Sequence, residues 1–346
     1  MTYLRNCWYI ASWAEELEAG KPLARKILDT PVVLFRDEGG VPHAIFDRCP
    51  HRFAPLSMGK VENGNIVCGY HGLAFGGSGA CAVNPHGSVL ANMSLPSYRV
   101  HETHRAIWIW MGEQEKADPA LIPDFGLFNE VPDSAFSSGL IHSGGNYELF
   151  SDNLLDLTHA DFLHANTVMA APFTGIKKKV SEENDIVTIE YSVYNEPPNV
   201  LARNAPGIGE RVDQRVRLSW EAPGSMFLRI EFVPAGSPPE TPYIGLYNVH
   251  AVTPESATST HYFFASTRNF QMDDTEMNAL IGKTRKAIFE AEDAPMIAAQ
   301  QANIGERSLW DLNPITFRSD DAGVRARRVI ERRIRAEQAG RGKVAA

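Results

Sequence analysis

The sequence predicts an α+β protein of two domains: an all-β unit over residues 1–115, then a larger unit over 116–346 that sets an antiparallel sheet against flanking helices. Three observations carry this. A chain of 346 residues is longer than one small core usually spans. Through the first unit the apolar residues come in short runs punctuated by Gly, Pro and Asp, the pattern of brief strands and turns. Beyond it, strand-like segments over 180–195, 212–234, 243–253 and 260–270 give way to a helical period over 273–302. There Met277, Leu280, Ile281, Thr284, Ile288 and Ala291 recur at three- and four-residue steps.

The elements follow in order. Tyr3, Trp8, Tyr9 and Trp13 are expected to pack beneath the first domain. Residues 31–36 read as a strand, Asp37-Glu38-Gly39-Gly40 as its turn, and 41–46 as the return. Cys49-Pro50-His51 follows that hairpin directly. A strand over 64–67 delivers Cys68-Gly69-Tyr70-His71, Gly76 to Gly79 turn before 80–83, and 105–110 closes the domain. Residues 118–132 hold several prolines and read as a connector. A helix-like stretch at 147–165 opens the second domain. The segment 320–338 is helical and basic (Arg325, Arg327, Arg328, Arg332, Arg333, Arg335), which a solvated face with intersubunit pairing explains better than a docking patch. Residues 339–346 are expected to fray.

Composition bounds the function. Hydrophobic residues make up 44% and charged residues 22%, as in ordinary soluble globular proteins. The net charge of −9 argues against nucleic acid as a partner. No apolar run approaches the ~18 residues needed to span a membrane, and the N-terminus has no basic region leading into an apolar one. The four cysteines, Cys7, Cys49, Cys68 and Cys81, form no disulfide framework, which suits a cytoplasmic location.

Two cysteines alternate with two histidines in C-x-H and C-x-x-H arms. Two thiolates and two imidazoles in this order are the ligand set of a Rieske [2Fe–2S] centre, in which a His pair replaces a Cys pair on one iron. A structural zinc site would show a close Cys pair followed by a close His pair instead. Pro50, Gly69 and Gly72 suit tight turns whose backbone N–H groups point at sulfur.

The stretch 147–164 carries a second constellation. Leu149, Leu154, Leu155, Leu157, Phe162 and Leu163 mark a buried helix, yet Asp152, Asn153, Asp156, His159, Asp161 and His164 lie among them. Buried polar groups are costly unless paired or bound to metal. His159 and His164 sit roughly 140° apart on an ideal helix of about 3.6 residues per turn, so a bend or helix end is expected between them. Two histidines plus a carboxylate make the facial triad of non-haem Fe(II) oxygenases. The carboxylate candidates are Asp156, nearby, and Asp293, where Pro295 distorts the backbone.

Both motif sets together resemble the Rieske non-haem iron oxygenases, in the group of vanillate O-demethylase, dicamba O-demethylase and toluenesulfonate methyl-monooxygenase oxygenase components. The resemblance runs along the whole chain. It rests on Arg5-Asn6-Cys7-Trp8-Tyr9, Cys49-Pro50-His51-Arg52, Gly69-Tyr70-His71-Gly72-Leu73, Ile107-Trp108-Ile109-Trp110, and the run from Asp152 to His159. Tyr262-Phe263-Phe264, Arg268-Asn269-Phe270 and Asp321-Ala322-Gly323-Val324 support it.

The resemblance implies a helix-grip catalytic domain, with Cys49, His51, Cys68 and His71 as cluster ligands. It implies His159, His164 and Asp293 as iron ligands, and Asp156 as a bridge from a cluster histidine to an iron histidine across a subunit boundary. It also implies a homotrimer, a reductase or ferredoxin as electron donor, O2 as co-substrate, and a small, methoxybenzoate-like aromatic as substrate. His250 is expected to face the pocket and bind substrate, with a His satisfied inside a sheet as the alternative. Asn153 is expected to contact dioxygen or substrate, with a helix-packing amide as the alternative. Leu228 or Arg229 stands where the dicamba enzyme has a polar residue, and 166–217 is expected to cover the pocket. A ring-dihydroxylating dioxygenase and a Rieske electron carrier are the competing functions.

Overall fold

A computed structural model describes residues 3–165, 167, 176–198, 203 and 205–344. The chain divides into two units, one of Tyr3–Ile122 with Thr253–Ala257, the other of Pro123–Val252 with the chain from Thr258 onward.

The first unit is built of three small sheets. Trp8–Trp13, Ala106–Trp110 and Val100–Thr103 form one. Leu23–Ile27, Thr30–Arg36, Pro42–Phe46 and Ser97–Tyr98 form the second. Lys60–Glu62, Asn65–Val67, Ala74–Phe75 and Cys81–Val83 form the third. Asn63-Gly64 explains one hairpin. Both residues adopt left-handed φ (50° and 69°), as a two-residue primed turn requires, and this fixes the register Glu62↔Asn65. That hairpin carries the chain into Cys68. The core beneath it packs Val33, Phe35, Ile45, Leu56, Ile66, Leu73 and Phe75 around Cys49 and Cys68. Burial of such side chains contributes roughly 1.5–3 kcal/mol each.

The second unit centres on a seven-stranded sheet. Its order is Ser137–Gly144, Ser259–Arg268, Ile244–Ser256, Ser225–Pro234, Val212–Glu221, Ile186–Glu196, Lys179–Glu183. Two of the strand-like segments are hairpins. Residues 180–195 turn at Asn184-Asp185, both left-handed, and 212–234 turns at 222–224. Short polar side chains tolerate the left-handed region and make such turns inexpensive.

Helix Tyr147–Leu155 starts where Asn146 accepts a hydrogen bond from the Glu148 N–H, and Thr275–Ile288 starts where Asp274 accepts from Met277 N–H. A π-helical turn, Phe289–Asp293, separates the latter from Ala294–Ile304. The C-terminal helix Asp321–Val344 runs through most of the segment expected to fray. Its basic face is not uniformly solvated. Arg327, with a side chain 6% exposed, pairs inward with Asp152 at 2.6 Å and with Glu148, while Arg332 reaches Glu182 and Asp185 at the surface. Among the described residues no helix is long and apolar enough to cross a membrane.

Candidate metal centres

The two Cys-His arms have the same backbone design. In the first, Cys49 N–H donates to Ala54 C=O and Phe53 N–H to Cys49 C=O. In the second, Cys68 N–H donates to Leu73 C=O and Gly72 N–H to Cys68 C=O. Each loop turns on a left-handed residue four places after its cysteine, Phe53 (φ 60°) and Gly72 (φ 76°). The thiols are 2% exposed and point into the core, with His51 and Arg52 N–H groups donating to Cys49 Sγ. Burial raises the Cys49 thiol above its ordinary pKa, and the neighbouring Cys68 thiol adds to this. The His51 and His71 rings stand outside the core with centroids 4.5 Å apart. Paired thiols inside and paired imidazoles outside fit a binuclear cluster with unlike irons. Cys7 and Cys81 are engaged elsewhere, with the Leu4 and Val83 carbonyls.

The second centre forms where the Tyr147–Leu155 helix breaks. Asp156 is extended (φ −103°, ψ 95°), and a 3-10 turn, Leu157–His159, leads into the short helix Ala160–Leu163, which ends just before His164. A helix end does lie between the two histidines, and the earlier break at Asp156 frees His159 as well. His159 Nε2 and His164 Nε2 come within 3.3 Å, and each lies 3.3–3.4 Å from Asp293 Oδ1. Among the described residues these are the three side chains that converge as a metal-binding group.

The outer nitrogens decide the tautomers. His159 Nδ1 donates to the Asp156 carbonyl, and His164 Nδ1 donates to Glu292 Oε2 at 2.5 Å. Both Nε2 atoms are thereby left as lone-pair donors aimed at one point beside a carboxylate, an arrangement that fits a bound cation. Two imidazoles, one carboxylate and open remaining directions suit mononuclear iron. Burial works to raise the Asp293 carboxyl, but the facing His159 and His164 imidazoles and the Asn153 amide N–H outweigh it and hold it well below the ordinary carboxylate range. The facing Asp293 carboxylate favours a charged His164 ring and raises it against the opposing effect of burial, with Glu292 adding to the rise.

Residues 7–98 match the Rieske [2Fe-2S] domain, and residues 143–336 match the vanillate O-demethylase oxygenase C-terminal domain. The chain is 38% identical to the dicamba O-demethylase oxygenase component of Stenotrophomonas maltophilia over 335 residues, covering 96% of this chain and 98% of that one. It is 37% identical to the chloroacetanilide N-alkylformylase oxygenase component of Rhizorhabdus wittichii, covering 99% of both. The crystal structure of dicamba monooxygenase bound to dicamba matches with a TM-score of 0.88 at 36% identity, over 98% of this chain and 100% of that one.

The chain belongs to the Rieske non-haem iron oxygenases. It is the terminal oxygenase component of a multicomponent system, an oxidoreductase that uses O2 with a Rieske [2Fe–2S] cluster and a mononuclear iron. The fold class read from the sequence agrees with the structures of this group.

A cavity of about 270 Å³ adjoins the triad of this oxygenase, at the small end of ligand-sized pockets. Its apolar wall includes Leu157, Leu218, Leu228 and Ile230. Arg229 is exposed on the opposite side of its strand, its guanidinium 4.8 Å above the Phe227 ring. His250 lines the cavity and is buried. Its Nδ1 lies 2.6 Å from the Tyr262 hydroxyl, the rings are parallel, and burial followed by the Arg285 charge pushes it down to about 3. His250 is therefore a neutral imidazole. Asn153 does not pack idly: its Nδ2 donates to Asp293 Oδ1 at 3.0 Å. Asp156 is not part of the triad. Its carboxylate accepts from Thr158 N–H and Oγ1, and it lines an open surface depression with Asp152, Asn153, His159 and Phe162.

Residues 170–173 of the expected pocket cover lie outside the described residues. Sequence reasoning missed Glu292, Arg285 and Asn248. Glu292 stands beside Asp293 in the acidic run Glu290-Ala291-Glu292-Asp293, and that adjacency was its available signal. Arg285 sits four residues from Ile281 and three from Ile288, inside the apolar stripe of its helix, and that misplacement was the available signal.

Proposed function

We propose that this oxygenase removes a methyl group from a small aryl methyl ether, of the methoxybenzoate class, or hydroxylates a ring methyl. Cys49, His51, Cys68 and His71 hold the cluster, and His159, His164 and Asp293 hold the iron. When bound, the cluster delivers electrons and the iron supplies the oxygen chemistry. One oxygen atom enters a C–H bond, the other leaves as water, and a hemiacetal so formed falls to a phenol and formaldehyde. The observation that carries the reading is the convergence of His159, His164 and Asp293 on a small apolar cavity. The chain's own residues orient and exclude: Asn153 and Glu292 fix the ligand side chains, the apolar wall keeps water away, and His250 meets the substrate. The relatives that are O-demethylase components for dicamba and vanillate support the reaction class.

Asp156 acts as the bridge to the cluster of a neighbouring subunit in a head-to-tail homotrimer. A reductase or ferredoxin feeds that cluster, and the enzyme works in the cytoplasm without a membrane partner. Ring dihydroxylation with the same metals is disfavoured by the demethylase relatives, and a simple electron carrier has no use for a triad.

The test is formaldehyde release across methoxybenzoates and related aryl methyl ethers, with reductase present. His159→Ala is expected to keep the Rieske absorbance and lose product. Product formation by that variant would overturn the iron assignment, and no formaldehyde or benzylic alcohol from any member of the panel would overturn the reaction class.

A further inference from the structure

Among the described residues, the guanidinium in the catalytic cavity has no carboxylate beside it. Arg285 reaches in from the Thr275–Ile288 helix and Asn248 from the Ile244–Ser256 strand, and both line the cavity with His250 and Asp293. Arg285 Nη2 donates to Asn248 Oδ1 at 2.5 Å. That bond fixes the amide orientation, because a flipped Asn248 would set N–H against N–H. Arg285 Nη1 and Asn248 Nδ2 are then left sequestered from solvent without any partner. Among the described residues the one carboxylate on the cavity wall is Asp293, already engaged by His159, His164 and Asn153.

His250 adds a third donor. Among the described residues the Tyr262 hydroxyl meets no other acceptor, so it donates to His250 Nδ1, and the ring proton lies on Nε2. Arg285, Asn248 and His250 thus present N–H donors to the cavity, one of them cationic. A buried cation without an anion is costly, and unpaired buried donors are rare in folded proteins. Burial depresses Arg285 below its ordinary value, as expected of a guanidinium kept in an apolar wall without a counter-charge.

We propose that Arg285, presented by Asn248, is the anchor for a carboxylate on the substrate, and that this pair makes the oxygenase select aromatic acids over their neutral analogues. The assignment rests on the reading of this cavity as the substrate site. It places the specificity determinant on the helix that leads into Asp293 rather than on Leu228 or Arg229 of the sheet. Arg suits the role because its fork donates two parallel N–H bonds to a carboxylate.

The test is calorimetric titration of the cluster- and iron-loaded enzyme with benzoate and with benzamide, neither of which carries a methyl group to remove. The wild type is expected to bind benzoate about 10- to 100-fold more tightly, the range of a charge-assisted hydrogen bond against a neutral one. Arg285→Gln is expected to bring the two affinities within about threefold. Asn248→Asp sets an internal carboxylate beside Arg285 and is expected to abolish the preference by occupying the anchor, even if R285Q does not fold. Equal affinity in the wild type, or a preference that survives in either folded variant, overturns the anchor. The outcome is independent of the reaction class. Arg285-dependent benzoate binding with no formaldehyde from any ether would leave the anchor standing and remove the demethylase reading. Formaldehyde from neutral ethers with no benzoate preference would do the reverse.

Discussion

Removing the carboxylate of Glu292 should weaken iron binding without touching any ligand. Glu292 Oε2 accepts from His164 Nδ1 at 2.5 Å and also from Thr167 Oγ1 at 3.0 Å, and its side chain is 21% exposed. A carboxylate behind a ligating histidine fixes the ring and raises its basicity, and its loss typically costs about 10- to 100-fold in metal affinity. That corresponds to roughly 1.4–2.8 kcal/mol. Glu292→Gln keeps an acceptor oxygen and should fall at the low end. Glu292→Leu removes the acceptor and leaves His164 Nδ1–H unpaired, which should fall at the high end. The assay is anaerobic Fe(II) titration of iron-stripped protein against a chromogenic chelator, with Rieske absorbance and melting temperature followed in parallel. The expected result is graded loss of iron affinity, E292L worse than E292Q, with cluster absorbance unchanged. Wild-type affinity in both variants would show that Glu292 does not position His164.

Three further outcomes are expected. Asp156→Asn keeps an acceptor for Thr158 and leaves the Asp156 carbonyl to His159, so both metals should stay bound while turnover drops about 10- to 100-fold; steady-state rates with reductase present check this, and unchanged turnover removes the bridge. Arg327→Leu strands the Glu148 and Asp152 carboxylates in a part-buried site and should cost about 3–5 kcal/mol in urea unfolding of the catalytic unit. His250 should make acid destabilisation steeper. Its folded value lies near 3, below the ordinary one, so the unfolded chain takes up the proton first and stability is lost as pH falls from about 6.5 toward 3. Relative to His250→Asn, the wild type should lose about 2 kcal/mol more between pH 7.5 and 5.0, at roughly 1.4 kcal/mol per pH unit below 6.5.

Local chemistry was legible in the sequence, and chemistry assembled across long separations was legible only in part. The Cys-His arms are short motifs on turns, so spacing alone groups them and even anticipates N–H groups aimed at sulfur. Strands were legible through their apolar runs, but the hairpin at Asn184-Asp185 was not, because two polar residues inside a long β-rich segment look like solvent-facing strand positions. The histidines called for a helix interruption, and the chain supplies one more than expected, at Asp156. That extra break explains why Asp156 cannot be a third ligand: its carboxylate turns back to cap Thr158.

The acidic run shows the limit most sharply. Adjacent residues on an α-helix point about 100° apart, so a helical reading gives Glu292 and Asp293 no common target. Pro295 lacks an N–H, and the backbone before it widens into the π turn Phe289–Asp293. In that turn Asp293 faces the Nε2 atoms and Glu292 reaches the Nδ1 atom of the same imidazole, His164. One distortion thus places both a side chain of the triad and the carboxylate that orients another. Arg285 was hidden for a different reason. Periodicity assigns charged residues to the solvent face, so an arginine in an apolar stripe is discounted as noise. A cationic residue kept in such a stripe without an acidic partner among the described residues is better read as a demand for an anion, and in this oxygenase that demand opens onto the cavity beside His159, His164 and Asp293.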